Sequence, residues 1–163
     1  MGQTGSGKTT LLKQIALKAK NRGRPIIVAT SAHADPHAWP WASAVVTDGQ
    51  KLADLMLRTA GAFVAVDEAG QVLGRQASIL ESAILTARHR GHTVAISAQR
   101  AVLVSRTVRD QTARLFCFRV GVDDSKELAR QYGQEKLLQA PKLARGSFFS
   151  CSQFEAPTIF KLF

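Results

Sequence analysis

The sequence lacks any run approaching the roughly 20 apolar residues that a membrane-spanning helix needs, so no such span is expected. Residues 1–25 carry Gly and Lys where a signal peptide would carry an apolar core. A cytoplasmic location is the expectation. Cysteine is scarce: Cys117 and Cys151 are the only two. Both sit in apolar, strand-like runs, FCF and FFSCS, which points to reduced core thiols rather than a disulfide or a metal pair. Acidic residues are few. Twelve Asp and Glu stand against 22 Lys and Arg, a formal net charge of +10. Such a balance favours a polyanionic partner, either nucleic acid or an anionic membrane face. No repeat, low-complexity tract or linker interrupts the 163 residues, so one domain spanning 1–163 is expected.

What is present is an alternation of apolar β-type runs with helical runs, the pattern of a parallel sheet covered by helices. Residues 8–21 read as a helix with Leu12, Ile15, Ala16 and Ala19 on one face, stopped by Gly23 and Pro25. Strands are expected at 26–30, 44–47, 62–67, 93–97 and 114–120, with helices at 50–60, 74–90, 103–112, 123–132 and 134–139. Residues 147–152 and 158–163 read as a closing antiparallel hairpin.

Residues 2–9, GQTGSGKT, match the Walker A pattern in full. Gly2, Gly5 and Gly7 permit backbone conformations that a side chain would forbid. The loop amides of Gln3, Thr4 and Ser6 and those beside them can then converge on a phosphate at the positive end of the following helix. Lys8 would reach the β- and γ-phosphates of ATP, the Thr9 hydroxyl would ligate Mg²⁺, and Thr10 would approach the α-phosphate. Only Met1 precedes Gly2. The strand that normally feeds such a loop is therefore absent from the sequence, and either upstream residues or another element must fill its slot. An unfilled slot would strand backbone groups in a dry core.

Residues 62–68, AFVAVDE, have the Walker B form, an apolar strand ending in two acids. Asp67 would hold Mg²⁺ and Glu68 would polarise the attacking water as general base. Gln99 ends the sensor strand, 93–99, where an uncharged amide could contact the γ-phosphate. Arg88 and Arg90 close the long helix in RHRG. A cationic helix end is favourable without any catalytic duty, and periodicity assigns them none.

From AVDEAG onward the chain resembles the FtsK–HerA superfamily of hexameric DNA-pumping ATPases. The resemblance rests on RHRGHT, VAISAQR and TVRDQTARLFCFRV, then on KLARGSFF and a closing strand. It implies a RecA-like P-loop NTPase fold, with Glu68 as base, Gln99 as sensor and a trans-acting arginine finger at Arg88. Arg90, Arg106 and Arg109 are the other finger candidates. It also implies a homo-oligomeric ring, hexameric in this family, around double-stranded DNA. The compact form looks most like the genome-packaging ATPases of tailless, membrane-containing viruses, which would place the chain in the host cytoplasm and at a capsid or membrane vertex. The zonular-occludens-toxin-like assembly ATPases of filamentous phages, exporting coat protein at a membrane, are the rival reading. A non-hydrolysing nucleotide switch, with Glu68 idle, is a third. His33 and His37 flank Asp35, but Pro36 and Pro40 argue against a regular helical metal site there. The basic residues of 13–24 read equally as a DNA path or as a solvated face.

Overall fold

A computed structural model describes residues 1–31, 35–72 and 77–163. His33 and the first residues of the expected 74–90 helix lie outside them. The chain forms two compact units: Leu12–Ser97, and a second built from both chain ends, Met1–Leu11 with Ala98–Phe163.

The central unit carries four parallel strands, β1 (Ile26–Ala29), β2 (Ala44–Val46), β3 (Phe63–Val66) and β4 (Thr93–Ile96), in the order β2-β1-β3-β4. β1 and β3 are the inner pair, and all eight of their residues are buried. That is why they read as unbroken apolar runs rather than alternating ones. Helix α1 (Lys8–Lys20) begins in the other unit, and the boundary falls between Leu11 and Leu12. Its Leu12 and Ala16 are buried with Ile26, Val28, Trp39, Phe63 and Ala65, and Ile15 and Ala19 pack beside them. The expected face is therefore the observed one.

Helix α2 (Gly49–Arg58) starts at Asp48, whose side chain accepts from the Lys51 N–H; such a cap satisfies an otherwise orphaned helix donor. Short helix α3 (Ala69–Val72) follows β3. Helix α4 (Ala77–Thr86) passes into a 3-10 turn, Ala87–Arg90, and ends at Gly91 with φ 70°, a conformation that suits glycine. The long helix thus stops where the sequence suggests, but its last turn is tightened. Arg24, one of the basic residues of 13–24, is tied to the backbone of its own unit. Its guanidinium donates to the carbonyls of Gly61, Ala62 and Gly91 and to the Thr93 hydroxyl, at 2.6–3.0 Å. Buried His92 likewise accepts from the Ala62 N–H and, in the tautomer this requires, donates to the Met56 carbonyl.

The second unit carries an antiparallel sheet, β5 (Leu115–Cys117), β6 (Ser147–Cys151) and β7 (Thr158–Lys161), in the order β5-β6-β7. The expected hairpin is present as β6 and β7. Helices α5 (Arg106–Asp110) and α6 (Val122–Tyr132) belong to this unit, as does a 3-10 helix, Glu135–Lys142. Leu115, Cys117, Leu128, Tyr132, Leu137, Phe149 and Cys151 form its core, with Met1 packed against them. Both cysteines are free and buried.

Met1 pairs with the β5 segment. The Met1 nitrogen donates to the Phe116 carbonyl at 2.6 Å, and the Phe118 N–H donates to the Met1 carbonyl at 2.8 Å. This pair of bonds is one rung of a parallel ladder with β5. One residue on, Gly2 donates to the Ala98 carbonyl and Gln3 to the Arg119 carbonyl. Residues 1–3 thus carry four backbone hydrogen bonds at the entry to the loop.

Candidate functional site: a glycine loop and an acid pair

The glycine loop is shaped by close packing. A Cβ on Gly2 would lie 2.6 Å from the Phe118 Cβ and 2.9 Å from the Ser6 Oγ, so only glycine fits. Gly5 (φ 73°) and Gly7 (φ 109°) both hold left-handed conformations that disfavour side chains. A Cβ on Gly7 would meet the Leu162 side chain at 3.0 Å and the rings of Phe118 and Phe163 at 3.3 and 3.5 Å. The far end of the chain thus lines the back of the loop. Arg145 adds a bond from its Nε to the Gly5 carbonyl at 3.3 Å. The Lys8 ammonium donates to the Gln3 carbonyl at 2.8 Å, folding across the loop.

Among the described residues, no acceptor takes the N–H groups of Thr4, Gly5 or Gly7. The Ser6 hydroxyl, on a residue only 7% exposed, is also without a hydrogen-bond partner. A buried donor left without an acceptor is costly unless a ligand completes it; of these groups the Ser6 hydroxyl is the buried one, while Thr4 and Gly5 are exposed. An anion fits this donor set, and α1 opens at Lys8 with its dipole pointing the same way. Thr9 is half-buried and Thr10 exposed at the start of that helix.

The acid pair lies in the central unit, immediately after β3. Asp67 is buried and donates its N–H to the Ala29 carbonyl at 2.8 Å. Glu68 is half-buried and has φ 56°, making it the one non-glycine with positive φ among the described residues. The register Val66↔Ile96 sets Ser97 beside the pair. Its hydroxyl donates to Asp67 Oδ1 at 2.6 Å and accepts from the Glu68 N–H at 3.1 Å. Among the described residues no group of three or more His, Cys, Asp or Glu could cage a metal. Mg²⁺ does not need one; it is commonly held by one or two carboxylates, hydroxyls, water and substrate phosphates. The Asp67 carboxylate is a hard oxygen donor of the kind that chemistry uses.

Gln99 follows Ala98, whose carbonyl takes the Gly2 N–H, so the chain places it beside the loop's first glycine. It is half-buried. Arg88 and Arg90 are exposed in the 3-10 turn, and Arg106 is exposed beside Asp110 at 3.7 Å. Arg109 differs from the expectation. It is buried and paired with Glu127 at 3.3 Å, which removes it as a finger offered to a neighbour. The sequence reading missed Ser97, Phe118, Arg145, Leu162 and Phe163. Only Ser97 carried a signal: it ends a strand parallel to the one that ends in Asp67.

No family model matches the sequence, and no curated protein does. Solved structures do match. The chain is similar to B204, the DNA-packaging ATPase of Sulfolobus turreted icosahedral virus, with a TM-score of 0.80 and 18% identity over 99% of this chain and 95% of that one. It is also similar to the genome-packaging NTPase B204 of Sulfolobus turreted icosahedral virus 2 in complex with sulfate, at TM-score 0.79, 17% identity and 99% and 94% coverage. The fold is that of a P-loop NTPase. This NTPase fold recurs in the cytoplasmic domain of the type VII secretion ATPase EccC from Thermomonospora curvata, at TM-score 0.70 and 16% identity, covering 99% of this chain but 24% of that one. B204 has also been captured with AMPPCP and with ATP-gammaS.

Proposed function

We propose that this chain is an ATP-hydrolysing motor that packages or translocates double-stranded DNA, acting as a homo-oligomeric ring, hexameric by resemblance. The single observation that carries the nucleotide part is the loop: donors at Thr4, Gly5 and Gly7 lack acceptors beside a lysine and a helix start. In this reading Gly2, Gln3, Thr4, Gly5, Ser6, Gly7, Lys8, Thr9 and Thr10 bind the phosphates. Lys8 leaves the Gln3 carbonyl for the β- and γ-phosphates. Asp67 and Thr9 would hold Mg²⁺, which when bound would neutralise charge on the phosphate oxygens. Glu68 accepts a proton from the attacking water, Gln99 senses the γ-phosphate and Arg88 serves a neighbouring subunit.

The DNA part is supported by the likeness to B204 and by the net charge of +10. Among the described residues no helix is long and apolar enough to cross a membrane. The chain would work in the host cytoplasm and at a virion vertex. The test is the rate of ATP turnover with and without duplex DNA at low salt, repeated as salt rises. Stimulation that fades steeply with salt is expected, because phosphate contacts release counterions. A rate indifferent to DNA counts against the motor. A rate raised by anionic vesicles instead favours coat-protein export at a membrane.

A further inference from the structure

We infer that Ser97 is a positioning residue that sets both acids of the pair for hydrolysis, and this rests on Glu68 being the base. Four hydrogen bonds converge on it. Its hydroxyl donates to Asp67 Oδ1 and accepts from the Glu68 N–H. Its own N–H donates to the Val66 carbonyl at 2.8 Å, and its carbonyl accepts from the Ala69 N–H at 2.9 Å. One residue of β4's end therefore grips every residue from Val66 to Ala69, the whole exit of β3.

This grip accounts for a costly conformation. Glu68 has φ 56°, a left-handed turn that a residue with a Cβ adopts reluctantly. In a continuing strand the side chain of residue 68 would simply alternate to the face opposite Asp67. The left-handed turn breaks that alternation and re-aims it. The turn persists because the amides on both sides of the Glu68 Cα, its own and that of Ala69, are bound to Ser97. The Asp67 contact, at 2.6 Å, is a charge-assisted bond that fixes the carboxylate plane.

A hydroxyl is the smallest group that can donate to a carboxylate and accept from an amide at once. Ser97 is 5% exposed, so no bulk water substitutes for it. A merely structural serine would satisfy its own hydrogen bonds. This one spends both on the two residues with proposed chemical roles.

The test uses the full chain with Ser97→Ala and an isosteric pair, Ser97→Thr and Ser97→Val, which differ only in hydroxyl against methyl. Hydrogen exchange at the Glu68 amide is read first, in nucleotide-free protein. Wild type and Ser97→Thr should protect it, while Ser97→Ala and Ser97→Val should lose protection there but not across β1. In steady-state turnover, Ser97→Ala and Ser97→Val should lower kcat about 10- to 100-fold, as removing a partner of a ligand or base typically does. KM for ATP should hardly move, and Ser97→Thr should recover most of the rate. If Ser97→Ala does not fold, the Thr and Val variants decide alone. Equal kcat for Thr and Val, or a Glu68 amide protected equally in both, overturns the assignment. Glu68→Gln runs alongside. If Glu68→Gln hydrolyses ATP as wild type does, the base reading itself fails; if it is inactive while Ser97→Val is fully active, only the role of Ser97 is lost.

Discussion

The glycine loop and the acid pair are held by opposite means. The loop keeps its shape because atoms are missing: Phe118, Leu162 and Phe163 press into the spaces where Gly2 and Gly7 have no Cβ. The acid pair keeps its shape through hydrogen bonds, at their centre the Ser97 hydroxyl between Asp67 and Glu68. A site of the first kind is broken by adding a methyl. One of the second kind is broken by removing a hydroxyl. Steric shaping tolerates no growth, and polar shaping tolerates no loss.

The largest effect that separates these modes is expected at Gly2. Its Cβ would lie 2.6 Å from Phe118, and overpacking of this kind costs about 3 kcal/mol. Gly2→Ala should lower the denaturant midpoint by a corresponding amount and raise the Kd for ATP by roughly 100-fold. At Gly7 the obstacle is the tip of a side chain, Leu162 at 3.0 Å, added to a left-handed φ. Gly7→Ala should cost about 2 kcal/mol, and a second change, Leu162→Ala, should return part of the lost ATP affinity. No return would mean that backbone strain alone sets the cost. Gly5 has φ 73° but nothing within 4 Å of its Cβ. Gly5→Ala should therefore weaken ATP binding by about 1 kcal/mol, the strain alone. A ranking other than Gly2, Gly7, Gly5 in calorimetric titrations breaks the steric account of the loop.

How much of this was legible in the sequence follows the same division. The loop is contiguous, so GQTGSGKT announces the glycines, Lys8 and Thr9 together. Burial on both faces made β1 and β3 readable as apolar runs. The atoms that press on the loop come from Phe118, Arg145, Leu162 and Phe163, more than 100 residues away, and no local spacing encodes that return. The pairing of Met1 with β5 was equally hidden, because it depends on two hydrogen bonds rather than on any pattern. Arg109 looked like its exposed neighbours in sequence. Its pairing with Glu127 of α6 joins residues 18 apart, which no local spacing encodes. Ser97 was half legible, since aligning the ends of two parallel strands puts it beside Asp67.

The smallest expected effect lies in the core that Met1 packs against. Burial pushes the thiols of Cys117 and Cys151 up from 9.0 to about 11. Between those values the unfolded chain ionises while the folded chain does not. Stability should thus be complete below pH 9 and decline as pH rises through 11. Alkylation at pH 8 should be slow in the folded chain and fast in denaturant. Rapid alkylation of the folded chain would show that this core is loose.

The central claim is that the loop's amides and Lys8 hold a triphosphate. Calorimetric titration of ATP with Mg²⁺ into wild type and Lys8→Ala tests it most directly. The account predicts saturable one-site binding by wild type, weakened at least tenfold by the substitution, at unchanged melting temperature in the absence of nucleotide. Equal uptake by the two proteins, or none by either while both are folded, would contradict it.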